Sequence, residues 1–234
     1  MRRALLLPAL ALALGLLAAG CGGSSGDSAA TTQETTAATG TTTTTAAAGA
    51  DGCTDAAVPA AREDGGATAP TERLDPEKTY KLVFDTNCGT FTVTLDLKSA
   101  PATSASLVSL AKARFFDDTI FHRIVPGFVI QGGDPTQSGN GGPGYQTVDA
   151  PASDARYVQG VVAMAKTASE PAGTSGSQFF VVTGADVGLP PDYAIVGNVT
   201  DGIPVVTRIG KLGDPATEQP TRPVVIKSVT VEEQ

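Results

Sequence analysis

The chain has 234 residues, 16 Lys+Arg against 24 Asp+Glu, and a net charge of −8; this length admits one domain or two small ones. An acidic surface repels phosphate backbones and anionic headgroups alike, which argues against nucleic acid as a partner and against electrostatic attachment to a membrane. Three cysteines and one histidine give no zinc spacing.

Arg2 and Arg3 open the chain, and an apolar run from Leu5 to Leu17 follows, interrupted only by Pro8 and Gly15. A bilayer span takes about 20 apolar residues, so this run is too short for one. Residues 1–20 read instead as a cleavable export signal. Ala18, Ala19 and Gly20 before Cys21 resemble the lipobox of bacterial lipoproteins, with Ala18 standing where Leu is usual. That resemblance implies a diacylated Cys21 as the new N-terminus and an extracytoplasmic protein anchored to the cell membrane by lipid alone. Loss of Arg2 and Arg3 with the signal leaves 14 basic against 24 acidic residues, a net charge of −10.

From Gly22 to Ala50 the sequence is nearly all Ala, Thr, Gly and Ser, with only Asp27 and Glu34 charged. So little apolar surface cannot offset the entropy of ordering, and a disordered tether is expected. Residues 51–77, with Pro59, Pro70 and Pro76, read as an irregular lead-in. Residues 21–77 thus separate the signal from a domain at 78–234. With Cys21 lipidated, Cys53 and Cys88 remain; an even count in an oxidising compartment favours a disulfide over two free thiols.

Lys81–Asp85 is a strand candidate, Asn87-Cys88-Gly89 a turn, and Phe91, Val93, Leu95 and Leu97 alternate with polar residues as in a half-buried strand. Pro101 opens a helix whose Leu107, Leu110, Ala111 and Phe115 share one face. Short β-rich segments follow at Ile120–Val125, Phe128–Gln131, Val161–Ala165, Gln178–Thr183, Tyr193–Val199 and Val224–Val231, with a second helix through Val205, Val206 and Ile209. Many short strands with two helices predict a closed barrel or a sandwich.

Two motifs fail on context. Gly139–Gly144 satisfies G-x-G-x-x-G, but Pro143 interrupts it and no helical stripe follows, so a surface loop is predicted rather than a dinucleotide site. His122 is the only histidine available to a triad, and neither Ser175 nor Ser177 lies in a G-x-S-x-G elbow. A structural histidine is predicted.

There remain Phe121-His122-Arg123-Ile124-Val125-Pro126-Gly127-Phe128-Val129-Ile130-Gln131-Gly132-Gly133-Asp134 and Gly176-Ser177-Gln178-Phe179-Phe180. Strand alternation places Phe128 and Ile130 on one face, Val129 and Gln131 on the other. An Arg, a Gln and several aromatics near one sheet face make an apolar pocket with a few fixed donors, suited to binding and to catalysis without a nucleophile.

These segments, in this order, resemble the cyclophilin-type peptidyl-prolyl isomerases, and the likeness runs from about Lys78 to Val231. It implies a mainly β fold, a closed eight-stranded antiparallel barrel with a helix over each open end, and isomerase activity without metal or organic cofactor. By position Arg123 matches the family's catalytic arginine, and Phe128, Val129, Phe180 and Leu189 match the pocket for the proline ring. Gln131 matches the glutamine that meets the substrate backbone, and Ala165, Lys166, Gln178 and Tyr193 match positions along the peptide groove. Val129 stands where Met is usual, Lys166 where Asn is usual, Tyr193 where His is frequent, and Gly188 where many members carry Trp. The resemblance further implies proline-containing segments of exported proteins as substrates, a monomer, and weak binding of cyclosporin, since Gly188 offers the drug no indole. The rival reading is a module that binds proline segments without turning them over; an intact Arg123 favours the enzyme.

Overall fold

A computed structural model describes residues 49–234. The signal segment, Cys21 and nearly all of the Gly22–Ala50 stretch lie outside the described residues.

The elements are β1 (Tyr80–Thr86), β2 (Gly89–Leu95), α1 (Pro101–Lys112), β3 (Thr119–Ile120), β4 (Arg123–Val125), β5 (Val129–Gly132), β6 (Thr147–Val148), β7 (Val161–Met164), β8 (Thr174–Ser175), β9 (Phe179–Val182), β10 (Ile195–Asp201), α2 (Ile203–Ile209) and β11 (Val225–Glu233). Nine strands form one antiparallel sheet in the order β3-β11-β1-β2-β10-β7-β9-β5-β4, and β6 pairs with β8 apart from it. The β1–β2 hairpin turns on Asn87-Cys88, with Thr86 opposite Gly89 and Phe84 opposite Phe91. Those two rings stack at 4.7 Å. Pro101 occupies the first turn of α1, where a missing N–H costs nothing. Two buried hydroxyls of this helix have partners, Thr103 with Thr147 and Ser106 with the Tyr145 hydroxyl, each at 2.9 Å, while that of Ser104 has none among the described residues.

The expected closed eight-stranded barrel does not form. The sheet has nine strands and its end strands, β3 and β4, share no ladder. The sequence run Ile120–Val125, read as one strand, breaks at Phe121-His122. There the Phe121 amide donates to the Val224 carbonyl and the Ile124 amide to the Glu218 carbonyl, so these donors are not available to close the sheet. Strong curl is nevertheless compulsory. Ile120 and Arg123 end the two edges and are three residues apart, at most about 11 Å. Nine flat strands would hold the same edges nearly 40 Å apart, at about 4.8 Å per strand. The result is a strongly curled half-barrel.

Alternation then sorts side chains to two sides. Ile130, Val162, Met164, Phe179 and Val181 enter the main core with Phe84, Phe91, Phe116 and Phe121. Val129, Val161, Ala163, Phe180 and Val182 face a second, smaller cluster around Tyr157, with Phe128, Ala165, Leu189 and Tyr193 against it. Phe128 departs from its expected place beside Ile130. It precedes β5, as the last residue of a turn in which its amide donates to the Val125 carbonyl and Gly127 has φ +71°. Pro126-Gly127 at the centre is the pairing that a type II turn requires, and strand alternation does not extend into it. Phe115 likewise falls beyond α1, meeting Phe116 edge-on at 5.6 Å.

Residues 49–77 carry no helix or strand, yet they lie against the sheet domain. Cys53 is fully buried and disulfide-bonded to Cys88. The Thr54 amide donates to the Asn87 carbonyl at 2.8 Å, and Arg222 pairs with Asp51 and Asp55 at 2.7 and 2.5 Å.

Candidate active site

Antiparallel register brings the polar residues together. Arg123 on β4 stands opposite Gln131 on β5, and its Nη1 donates to Gln131 Oε1 at 3.4 Å. Gln131 stands opposite Phe180 on β9. Its Nε2 donates to Gln178 Oε1 at 3.0 Å, and Gln178 Nε2 donates in turn to the Gly139 and Gly141 carbonyls, each at 2.9 Å. The shortest bond to the arginine comes from elsewhere: Arg123 Nε donates to Glu218 Oε2 at 2.7 Å. Glu218 has φ +59° and closes a turn whose Asp214 carboxylate accepts the Ala216 and Thr217 amides, bonds that hold Asp214 below the usual carboxylate range. The Arg123 side chain remains 35% exposed, so a charged, two-point-anchored guanidinium faces solvent at the edge of the smaller apolar cluster.

That cluster forms the apolar pocket. Val129 and Phe180 are buried in its floor, with Phe128, Leu189, Tyr193 and Ala165 around them. Tyr193 sits edge-on to Phe180 at 5.5 Å between ring centres. Beneath both lies Tyr157, fully buried. Its hydroxyl donates to the Tyr193 carbonyl at 2.7 Å and accepts the Tyr193 amide at 3.0 Å. Burial pushes its pKa above the ordinary phenol value. The pocket wall is therefore fixed through its backbone as well as by ring packing.

Beside the pocket runs a groove of about 540 Å³, lined by Gln131, Ala165, Lys166, Gln178, the Gly139–Gln146 loop and Asp64. Lys166 reaches it with little free charge. Its ammonium pairs with Asp192 at 2.6 Å, donates to the Glu170 carbonyl at 2.9 Å and leaves the side chain only 2% exposed. It also lies 5.7 Å from the centre of the Tyr193 ring. The structure thus gathers Arg123, Gln131 and Gln178 in one hydrogen-bonded row, and Phe128, Val129, Phe180, Leu189 and Tyr193 in the adjoining pocket.

His122 adjoins Arg123, and both its ring nitrogens are buried without a hydrogen bond among the described residues. Burial lowers its pKa below the usual value, partly opposed by the Asp134 charge. Ser175 and Ser177 donate to the Gly173 and Gly133 carbonyls, so neither is poised as a nucleophile. The Gly139–Gly144 run opens no helix. Gly188 has φ +64°, a conformation that disfavours any residue with a side chain; the glycine there answers to the backbone.

Three residues at the site escape a reading of the sequence. Glu218 lies 95 positions from Arg123, Tyr157 is 36 from Tyr193, and Asp64 sits in the lead-in. No local pattern marks them.

A family model described as "Cyclophilin type peptidyl-prolyl cis-trans isomerase/CLD" matches residues 81–231. Peptidyl-prolyl cis-trans isomerase A of Mycobacterium tuberculosis is 36% identical over 174 residues, covering 67% of this chain and 94% of that protein. Peptidyl-prolyl cis-trans isomerase-like 1 of Aspergillus oryzae is 35% identical over 157 residues, covering 65% and 96%. Among solved structures, a cyclophilin type isomerase of Cryptosporidium parvum, crystallised in the presence of the dipeptide Ala-Pro, superposes with a TM-score of 0.60 at 28% identity. That match covers 65% of this chain and 98% of the other.

Proposed function

The chain belongs to the cyclophilin-type family and is a peptidyl-prolyl cis-trans isomerase, and from that premise we propose that Arg123 drives rotation about X-Pro bonds in exported or surface proteins. The observation that carries the reading is the anchored guanidinium of Arg123, 2.7 Å from Glu218 and 3.4 Å from Gln131, at the edge of a pocket floored by Phe180 and Val129. Rotation removes amide resonance over a barrier of about 18–20 kcal/mol. At the half-turned geometry the proline nitrogen is pyramidal and a better acceptor. An N–H of Arg123 donates to it there, an interaction stronger in the transition state than in either ground state. Phe128, Phe180, Leu189 and Val129 hold the ring still while Gln131 holds the flanking backbone. That a Cryptosporidium relative was crystallised in the presence of the dipeptide Ala-Pro agrees with a proline-containing peptide as substrate.

In this reading residues 1–20 are a signal, 21–77 a tether and lead-in, and 78–234 the isomerase domain. A lipidated Cys21 holds an extracytoplasmic monomer to the membrane, where it meets proline-containing segments of exported chains and binds cyclosporin weakly. Isomer-specific turnover of an Ala-Pro peptide, measured on membranes and culture medium, tests this. Wild-type activity is expected on washed membranes, and Cys21→Ser is expected to release it to the medium. Equal release of both proteins removes the anchor; absence of turnover from purified folded protein removes the arginine mechanism.

A further inference from the structure

Residues 62–67 precede the segment matched by the family, yet they reach the groove beside the catalytic arginine. Three backbone bonds run from this stretch to the loop opposite: Arg62 N to the Pro135 carbonyl at 2.8 Å, Gly65 N to Gly142 at 2.9 Å, and Ala67 N to Pro143 at 3.1 Å. A fourth runs back, from the Gly142 amide to Asp64 Oδ1 at 2.7 Å. Glycine is favoured on both sides for different reasons: a Cβ on Gly144 would lie a tight 3.1 Å from the Gly65 Cα, and Gly65 and Gly66 have φ +77° and +80°, which disfavour any residue with a side chain. Arg62 adds a hydrogen bond to the Phe115 carbonyl and lies over that ring at 5.6 Å.

The far side of the same loop belongs to the site. Gln178 Nε2 donates to Gly139 and Gly141, its Oε1 accepts from Gln131, and Gln131 accepts from Arg123. Gly142, held by Asp64, directly follows Gly141, held by Gln178. A loop with glycines at 139, 141, 142 and 144 has much backbone entropy to lose, so its position depends on bonds from outside. One set comes from Gln178 and the Asp134 carboxylate, which accepts the Gly139 amide at 2.6 Å; the other comes from residues 62–67.

We infer that residues 62–67 are a working part of the isomerase site, with Asp64 the positioning residue. They fix the Gly139–Gly144 loop, and through it the orientation of Gln178 and the shape of the peptide groove. This rests on the isomerase reading of the Arg123–Gln131–Gln178 row. The brace is fastened upstream by the Cys53–Cys88 disulfide and the Arg222 pairs. Loss of the Asp64 acceptor frees one face of the loop, and peptide binding then includes the ordering of that loop, which weakens affinity while leaving Arg123 in place.

The test uses full-length protein and an Ala-Pro peptide long enough to lie along the groove, with KM and kcat separated. Asp64→Ala is expected to raise KM three- to ten-fold with kcat within two-fold. Asp64→Asn, which keeps an oxygen for the Gly142 amide, is expected to recover most of that loss. On a Gln178→Ala background, Asp64→Ala is expected to add less than two-fold. Wild-type KM in Asp64→Ala, or an undiminished effect without Gln178, overturns the inference. Failure of the wild-type protein to turn over the peptide would instead overturn the reading on which the inference rests.

Discussion

Replacing Arg123 by Lys separates charge from geometry. Arg123 uses Nε for Glu218 at 2.7 Å and Nη1 for Gln131 at 3.4 Å, and among the described residues Nη2 carries no hydrogen bond. A planar guanidinium can thus be anchored on one edge and donate from another. A lysine has one ammonium at the end of a flexible stem; bound to Glu218 it is withdrawn from the substrate, and turned to the substrate it loses its anchor. A preorganised donor at a developing charge contributes about 3 kcal/mol, roughly two orders of magnitude in rate. Arg123→Lys should therefore lose most of what Arg123→Ala loses, with kcat/KM down by about 100-fold. KM should change little, because the proline ring rests on Phe128, Phe180 and Leu189. Stability should also change little, since the β4–β5 ladder is made by backbone and the side chain is one-third exposed. Isomer exchange followed by NMR, with a thermal melt of each protein, reads all three quantities. Folded Arg123→Lys with more than a third of wild-type kcat/KM would show that charge suffices, and near-normal Arg123→Ala would remove this residue from the mechanism.

Glu218→Ala should lower kcat/KM five- to ten-fold by leaving the guanidinium on its longer contact to Gln131 alone, and should add nothing to Arg123→Ala; an equal loss on both backgrounds would mean that Glu218 acts through the fold. Tyr157→Phe should destabilise by about 1–3 kcal/mol, because the Tyr193 amide and carbonyl both lose a buried partner; urea titration checks this, and an unchanged midpoint contradicts it. His122 gives a pH signature. Burial depresses its folded pKa below the ordinary imidazole value of 6.5, so below that pH the unfolded chain binds protons more readily than the folded one. Stability should be full above pH 6.5 and fall as pH drops toward the folded value, with Asp134 and Arg123 the charged groups that bear on the ring. His122→Phe should flatten the profile between pH 7 and 5, above the range where depressed carboxylates such as Asp134 contribute; an equal slope in both proteins refutes the assignment.

What the sequence made legible was whatever is written at short range. Alternation marks β1 and β2, proline at a tolerated position marks the start of α1, and two long motifs place Arg123, Gln131, Gln178 and Phe180. Where local pattern and hydrogen-bond supply diverge, the expectation fails. Ile120–Val125 has the composition of one strand, but its middle amides go to Val224 and Glu218, and the barrel stays open. Phe128 has the composition of a strand residue but belongs to the turn imposed by Pro126-Gly127. The two-residue strands β6 and β8 are too short to show any period.

The residues that escaped notice at the site share a physical reason. Arg123 and Gln131 are brought together by a hairpin, and the seven residues between them fall within one motif. Glu218, Tyr157 and Asp64 act from turns and loops on Arg123, Tyr193 and Gly142 respectively, through oxygens that any of several residue types at many positions could supply. Their roles depend on the curl of the sheet. Because β3 and β4 must lie within about 11 Å, the Asp214–Glu218 turn that takes the Ile124 amide is drawn to the same edge as Arg123. The opening that denies the sheet a ninth ladder therefore also brings the carboxylate to the guanidinium. An unclosed edge leaves the Ile124 amide needing an acceptor, the Glu218 carbonyl provides it, and the side chain on that same residue anchors the Arg123 guanidinium. Closing the sheet by pairing β3 with β4 would remove the requirement for the turn and, with it, the strongest bond that Arg123 makes.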